Sequence, residues 1–306
     1  MPIQGLTNIR KALSSLNPNQ VRENSEKSVH VVLHAGNEDA YQQMESFLLR
    51  DLRPARRKES ASLIARGTGS SAEDAHRIEI YDESVPSPSG SLIFRPERPL
   101  YVVEKALVKY PDAGIALARS FYPFRRPYVH RVIAKTSRDN TLFSITTALP
   151  DVIPNVIELP WAVAEFASDT AFLTMNQVRM AFLIAAASDR EVGYLEQKSE
   201  IATVIGSAFG WRALSRQLVG KIPFGGGLVA KAAVAYAGTK VLGLSLDHLY
   251  SIGFTYTRNE RDRLYADAFR QGKKVAQRIL SFLRPDLAAK FAEQSKTSNT
   301  IEVSPS

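Results

Sequence analysis

The chain has 306 residues, a formal net charge of +8 and 44% hydrophobic content, enough for one large or two ordinary domains with a proper core. Zero cysteines exclude disulfides, thiolate metal sites and cysteine nucleophiles, while 23% charged residues and a mean hydropathy of -0.15 exclude both a disordered chain and a plain bundle of membrane spans. An isoelectric point near 9.6 favours acidic partners: nucleic acid, an anionic membrane or an acidic protein face.

The opening residues, MPIQGLTNIRKALSSLNPNQ, lack a continuous apolar core behind a basic start. A cleaved signal peptide is therefore not expected, and residues 1–27 read as a helix and linker in a chain that stays inside the cell. SVHVVLHAG, Ser28 to Gly36, is a β-rich run ending in glycine, and NEDAYQQMESFLLRDL after it has apolar residues at helical spacing. HRIEIY and SLIF are two further strand signals, separated by the Pro- and Ser-rich loop DESVPSPSGS, and LYVVEKAL leads into a helix. Residues 28–110 are expected to form a small α/β domain of three or four strands.

From Pro111 the β-branched alternation gives way to alanine-rich stretches. Helices are predicted over Ala113–Arg119, Pro127–Ala148, Pro160–Ser188, Glu191–Phe209, Trp211–Val219, Leu228–Tyr250 and Arg258–Leu283. Residues 111–283 thus read as a larger helical bundle with an Ala/Gly-rich helical hairpin hinged at Pro223, Gly225, Gly226 and Gly227; a polar tail, 284–306, is expected to be disordered. The fold class is α/β plus α.

No motif for catalysis or nucleotide binding survives a test of its context. A phosphate loop needs a hydroxyl residue after Gly-Lys, but Gly220-Lys221 is followed by Ile222 and Gly272-Lys273 by Lys274. GTGSSA, Gly67 to Ala72, matches a dinucleotide fingerprint but leaves no room for a crossover helix before the strand signal at His76. The five histidines are scattered, and neither H-E-x-x-H nor G-x-S-x-G occurs. No cofactor, no metal and no enzymatic activity are expected.

Two sets of residues remain as candidates. Glu165, Asp169, Asn176, Gln177 and Arg179 form a polar stripe on an otherwise apolar helix. Buried charge has to be paired, so the plain reading is a structural network reaching Arg179, Arg212 or Arg216. Arg119, Arg125, Arg126 and Arg131, interleaved with Phe121, Tyr122, Phe124 and Tyr128, form a candidate surface for lipid or another anion. Ile222 to Leu246 has the length of a membrane span but is interrupted by Lys231 and Lys240, which permits a hairpin dipping into a bilayer or a soluble bundle.

ALPDVIPNVIELPWAVAEFASDTAFLTMNQVRMAFLIAA followed by KIPFGGGLVAKAAVAYAGTKVLG resembles the bacterial family called domain of unknown function 697. Asp169, Leu173, Thr174, Gln177, Met180, Ile222, Pro223, Gly225 and Gly227 carry the likeness, which spans residues 111–272. The resemblance implies a membrane-associated helical domain of the kind found after Era-like GTPase domains. VHVVLHAGNEDAYQQMESFLL then looks like the first strand and helix of such a GTPase without its phosphate loop, and N-K-x-D and D-x-x-G are absent as well. The expectation is a non-enzymatic adaptor on the cytoplasmic face of the inner membrane, with anionic lipid and a small GTPase or a second copy of itself as partners. The alternative is a soluble protein that binds nucleotide or nucleic acid through its basic surface.

Overall fold

A computed structural model describes residues 2–67, 77–149, 169–206 and 226–285. The protein is α/β plus α, and its contacts divide it into two units. An α/β unit comprises residues 17–132 and 182–197; a helical unit comprises 1–16, 133–181 and 198–306. This division differs from the sequence boundaries at 27/28 and 110/111, because the first helix joins the helical unit and residues 111–132 stay with the sheet.

The α/β unit contains α2 (Pro18–Glu26), β1 (His30–His34), α3 (Glu38–Leu49), α4 (Pro54–Ala61), β2 (Ile64–Arg66), β3 (Arg77–Asp82), β4 (Leu92–Phe94), α5 (Pro99–Lys109) and α6 (Gly114–Ser120), numbered after α1 (Pro2–Ser14). Its four strands are parallel in the order β2-β1-β3-β4. Alternation along the strands sends Val31, Leu33, Ile78, Ile80, Leu92 and Phe94 to one face, all buried. Phe47 of α3 meets Phe94 on that face with ring centres 5.5 Å apart. Burying β-branched and aromatic side chains holds the sheet to its register, since a slip of one residue would expose the whole set.

In the helical unit, α1 packs Ile9 and Ala12 against Phe143, Phe172 and Met175. Phe143 and Phe172 stack at 3.8 Å. These rings belong to α7 (Tyr122–Thr146) and α8 (Asp169–Ala187), helices whose residues are shared between the units at 132/133 and 181/182. The predicted helix 191–209 appears as helical residues 198–206, and Trp211–Val219 lies outside the described residues.

Two long helices complete the unit, α9 (Gly226–Ile252) and α10 (Arg258–Leu283). The latter keeps the predicted ends, because Thr257 accepts from the Glu260 amide while the Glu260 carboxylate accepts from the Thr257 amide. Alanines let the two helices approach closely. Ala237 and Val241 pack with Ala268, and a Cβ built on Gly272 would come 2.9 Å from the Ala233 carbonyl oxygen. Of the predicted hinge, Gly226 and Gly227 open α9; Pro223 and Gly225 lie outside the described residues.

Candidate functional site

In an open parallel sheet, ligands bind at the carboxyl ends of strands where the strand order reverses, here between β1 and β3. Only Ala35, Gly36 and Asn37 connect β1 to α3. Asn37 caps the helix by accepting from the Ala40 amide at 2.8 Å, and Glu38 and Asp39 place carboxylates in its first turn. The helix dipole is thus answered from within, and a phosphate would meet like charge. Gly36 lies so close to the β3 end that a Cβ there would fall 2.4 Å from Ser84 Oγ. His34 stacks on Tyr81 at 4.2 Å, and the Tyr81 hydroxyl donates to Glu79. Of the GTGSSA stretch, Gly67 packs on His34 and residues 68–72 lie outside the described residues.

The polar stripe of α8 divides. Asn176 and Gln177 are buried; Arg179 is exposed; the Asp169 side chain and Glu165, with Arg212 and Arg216, lie outside the described residues. The partners of the buried pair are neutral. Asn176 Nδ2 donates to Asn140 Oδ1 at 2.8 Å, Asn140 Nδ2 donates to Thr239 Oγ1 at 2.9 Å, and Gln177 Nε2 donates to the same hydroxyl at 3.1 Å. An amide and hydroxyl network joins α7, α8 and α9; the ionic network expected from the sequence draws on residues outside the described ones. Neutral groups avoid the desolvation cost of buried ions, which explains why such a network tolerates complete burial.

The arginines of the predicted anion surface are not arranged as one surface. Arg126 and Arg131 are exposed, and Arg131 donates to the Glu104 carbonyl. Arg119 and Arg125 turn inward. Arg119 Nε donates to Asp189 Oδ1 at 3.2 Å, while its Nη1 donates to Ser25 Oγ and Glu26 Oε1. Arg56 reaches the same Asp189 oxygen at 3.5 Å and pairs with Glu59 at 2.7 Å. Arg125 lies over the Tyr122 ring at 5.3 Å. Burial holds its guanidinium below the usual range, partly countered by the charge of Asp189 and reinforced by Arg56 and Arg190.

No family model, curated protein or solved structure matches the chain. In the α/β unit, Arg56 and Arg119 meet at Asp189.

Asp189 follows α8 in the left-handed conformation, with φ 55°. The Arg190 amide bonds back to Ala185 and the Asp189 amide to Ala186, the helix-ending pattern that usually takes glycine at this position. The carboxylate gives the reason for aspartate here. It sits where arginines from α4 and α6 converge, and Ser60 Oγ of α4 adds a 2.6 Å bond to the Ser120 carbonyl. Sequence reasoning missed Asp189 because its signal is a single acid in SDRE after a long apolar helix. Among the described residues there is no group of three or more His, Asp or Glu side chains suited to a metal.

Proposed function

We propose that the protein is a non-enzymatic adaptor that lies peripherally on the cytoplasmic face of the inner membrane and serves a small GTPase or a second copy of itself. The observation that carries the reading is the outer face of α10. Ala268, Gly272, Ala276 and Leu280 pack inward, and on the opposite side Arg270, which pairs with Asp267, and Lys273, Lys274 and Arg278 are exposed; no acidic residue occurs in 268–285. Phe282, one turn beyond Arg278, is 80% exposed. Cations flanking an exposed aromatic suit the interface of an anionic bilayer.

Two helices among the described residues are long and apolar enough to cross a membrane, Thr170–Ala187 and Gly227–Ile252. They are 83% and 72% buried within the protein, and the network through Thr239 engages the middle of the second. Both features support contact along a surface over insertion of a hairpin. The capped, acidic start of α3 and the three-residue link before it support an α/β unit that does not bind nucleotide phosphate; its kinship with GTPases rests on the resemblance of the helical part alone.

Flotation with phosphatidylserine vesicles tests the reading. Full-length protein is expected to float at low salt and to be released by high salt. Changing Arg270, Lys273, Lys274 and Arg278 together to Glu should abolish flotation, since each well-placed cation contributes about 1 kcal/mol. Retention through the salt wash would indicate insertion instead. Binding to short RNA or DNA without flotation would favour the nucleic-acid alternative, and saturable GTP binding at micromolar concentration would overturn the inert α/β unit.

A further inference from the structure

The interior shared by α7, α8 and α9 is polar, and among the described residues no charged side chain is buried in it. Its hub is Thr239. The Oγ1 accepts from Asn140 Nδ2 at 2.9 Å and from Gln177 Nε2 at 3.1 Å, which fills both acceptor positions of the hydroxyl and leaves its own proton to donate. Among the described residues no acceptor takes that proton. Gln177 Oε1, on the very amide that donates to Thr239, is buried without a hydrogen-bond partner, and so is Thr174 Oγ1, three residues earlier on the same side of α8. Thr174 is 0% exposed and Gln177 5%. The hydroxyls one turn away on α7 cannot serve them, because Thr141 and Ser144 donate to the carbonyls of Ser137 and Asn140 in their own helix.

An unspent donor and an unspent acceptor on two groups already joined at 3.1 Å call for a small neutral molecule that both accepts and donates. We infer that this interior is a binding site for one ordered water, which accepts from the Thr239 hydroxyl and donates to Gln177 Oε1, with Thr174 Oγ1 as its third partner. Amide, hydroxyl and water then close a ring in which every polar atom is used, and about three protein partners is the usual complement of an internal water. The neutral lining excludes an ion, since nothing in it offsets the cost of desolvating a charge. The inference concerns the inside of the helical unit and stands apart from the membrane reading.

The test is a high-resolution crystal structure of the full-length protein, joined to three variants. Solvent density is expected about 2.7–3.2 Å from both Gln177 Oε1 and Thr239 Oγ1. It should disappear in Gln177→Met, with the helical circular dichroism of the parent retained, and remain in Ser144→Ala, whose hydroxyl is bound within its own helix. Thr174→Val keeps the shape of the side chain and deletes the hydroxyl. It should melt about 2–4 °C below the parent, the shift for one lost hydrogen bond in a chain of this size. A hydroxyl that serves no water would give the reverse, because valine then removes a buried polar group that nothing satisfies.

A parent structure without density beside Gln177 Oε1 overturns the site, and so does a Thr174→Val variant that melts above the parent. Density that persists in Gln177→Met assigns the water to other groups and overturns the partners named here. Failure of the protein to float with anionic vesicles leaves each of these readouts untouched, so the two readings fail separately.

Discussion

Asn140 Nδ2 lies 2.9 Å from Thr239 Oγ1, and both residues are completely buried, one on α7 and the other on α9. The hydroxyl accepts from Gln177 as well, so one small oxygen gathers donors from two helices. Replacing Asn140 by Leu leaves Asn176 without its acceptor and should cost about 2–4 kcal/mol, since stranding buried polar groups costs about 1–3 kcal/mol each. Thr239→Val is expected to cost a similar amount. In urea unfolding the double variant should lose less than the sum of the two; full additivity would mean that the bonds act independently.

Glycine is the usual residue at the position of Asp189, so Asp189→Gly relieves the backbone while deleting the carboxylate. Loss of the charge should prevail, because Arg119 and Arg56 are 23% and 17% exposed and both lean on it. A net destabilisation of about 1–3 kcal/mol is expected from stranding them. A more stable glycine variant in thermal unfolding would show that the ion pairs contribute little.

Gly272 sets the spacing of α9 and α10. A Cβ would meet the Ala233 backbone at 2.9 and 3.1 Å and the Tyr236 Cβ at 3.0 Å, contacts that can be relieved only by moving a helix. Gly272→Val should therefore lower stability by about 1–3 kcal/mol, the range for overpacking, even though valine is the better helix former. Unchanged unfolding would indicate that the two helices slide freely.

Burial pushes the Tyr265 phenol up to about 12 from a model-compound value of 10.0. In that window the unfolded chain has released a proton that the folded chain still holds, so stability falls as pH rises from 10.0 to 12. Burial raises Tyr41, Tyr81, Tyr194 and Tyr236 as well, so a spectroscopic titration of tyrosinate should show several phenols ionising late with Tyr265 among them, and Tyr265→Phe should flatten part of the decline of the melting temperature above pH 10.0. Equal declines in both proteins would assign the effect to another group.

Elements with a local cause were legible. The ends of α10 agree with the prediction because a capping Thr and an amphipathic stripe are both encoded within a few residues. The start of α7 was missed by five residues: Pro127 reads as a helix start, yet the helix begins at Tyr122 and contains it. β2, three residues long, falls within SASLIAR, which reads as a strand from its apolar residues although it is too short to show alternation. The arginines show a different limit. Charges that are adjacent in sequence were expected to share a surface, but Arg125 and Arg126 point to opposite environments, and neither pairing nor burial can be inferred from spacing alone. The buried network was half visible: Asn176 and Gln177 stood out on an apolar helix, whereas Asn140 sits among other polar residues, Thr239 is a small hydroxyl in an Ala/Gly-rich helix, and both became significant only through their partners.

α1 packs against residues made much later in the chain. Ser15 of the segment after α1 meets Met175 across a separation of 160 residues, and Ile9 and Ala12 need the rings of Phe143 and Phe172. At the usual pace of synthesis, about 5–20 residues per second, α1 waits on the order of ten seconds with its apolar face uncovered. Throughout that interval the apolar stripe of α1 lacks the rings that cover it in the folded unit, which makes it a segment for chaperones to shield.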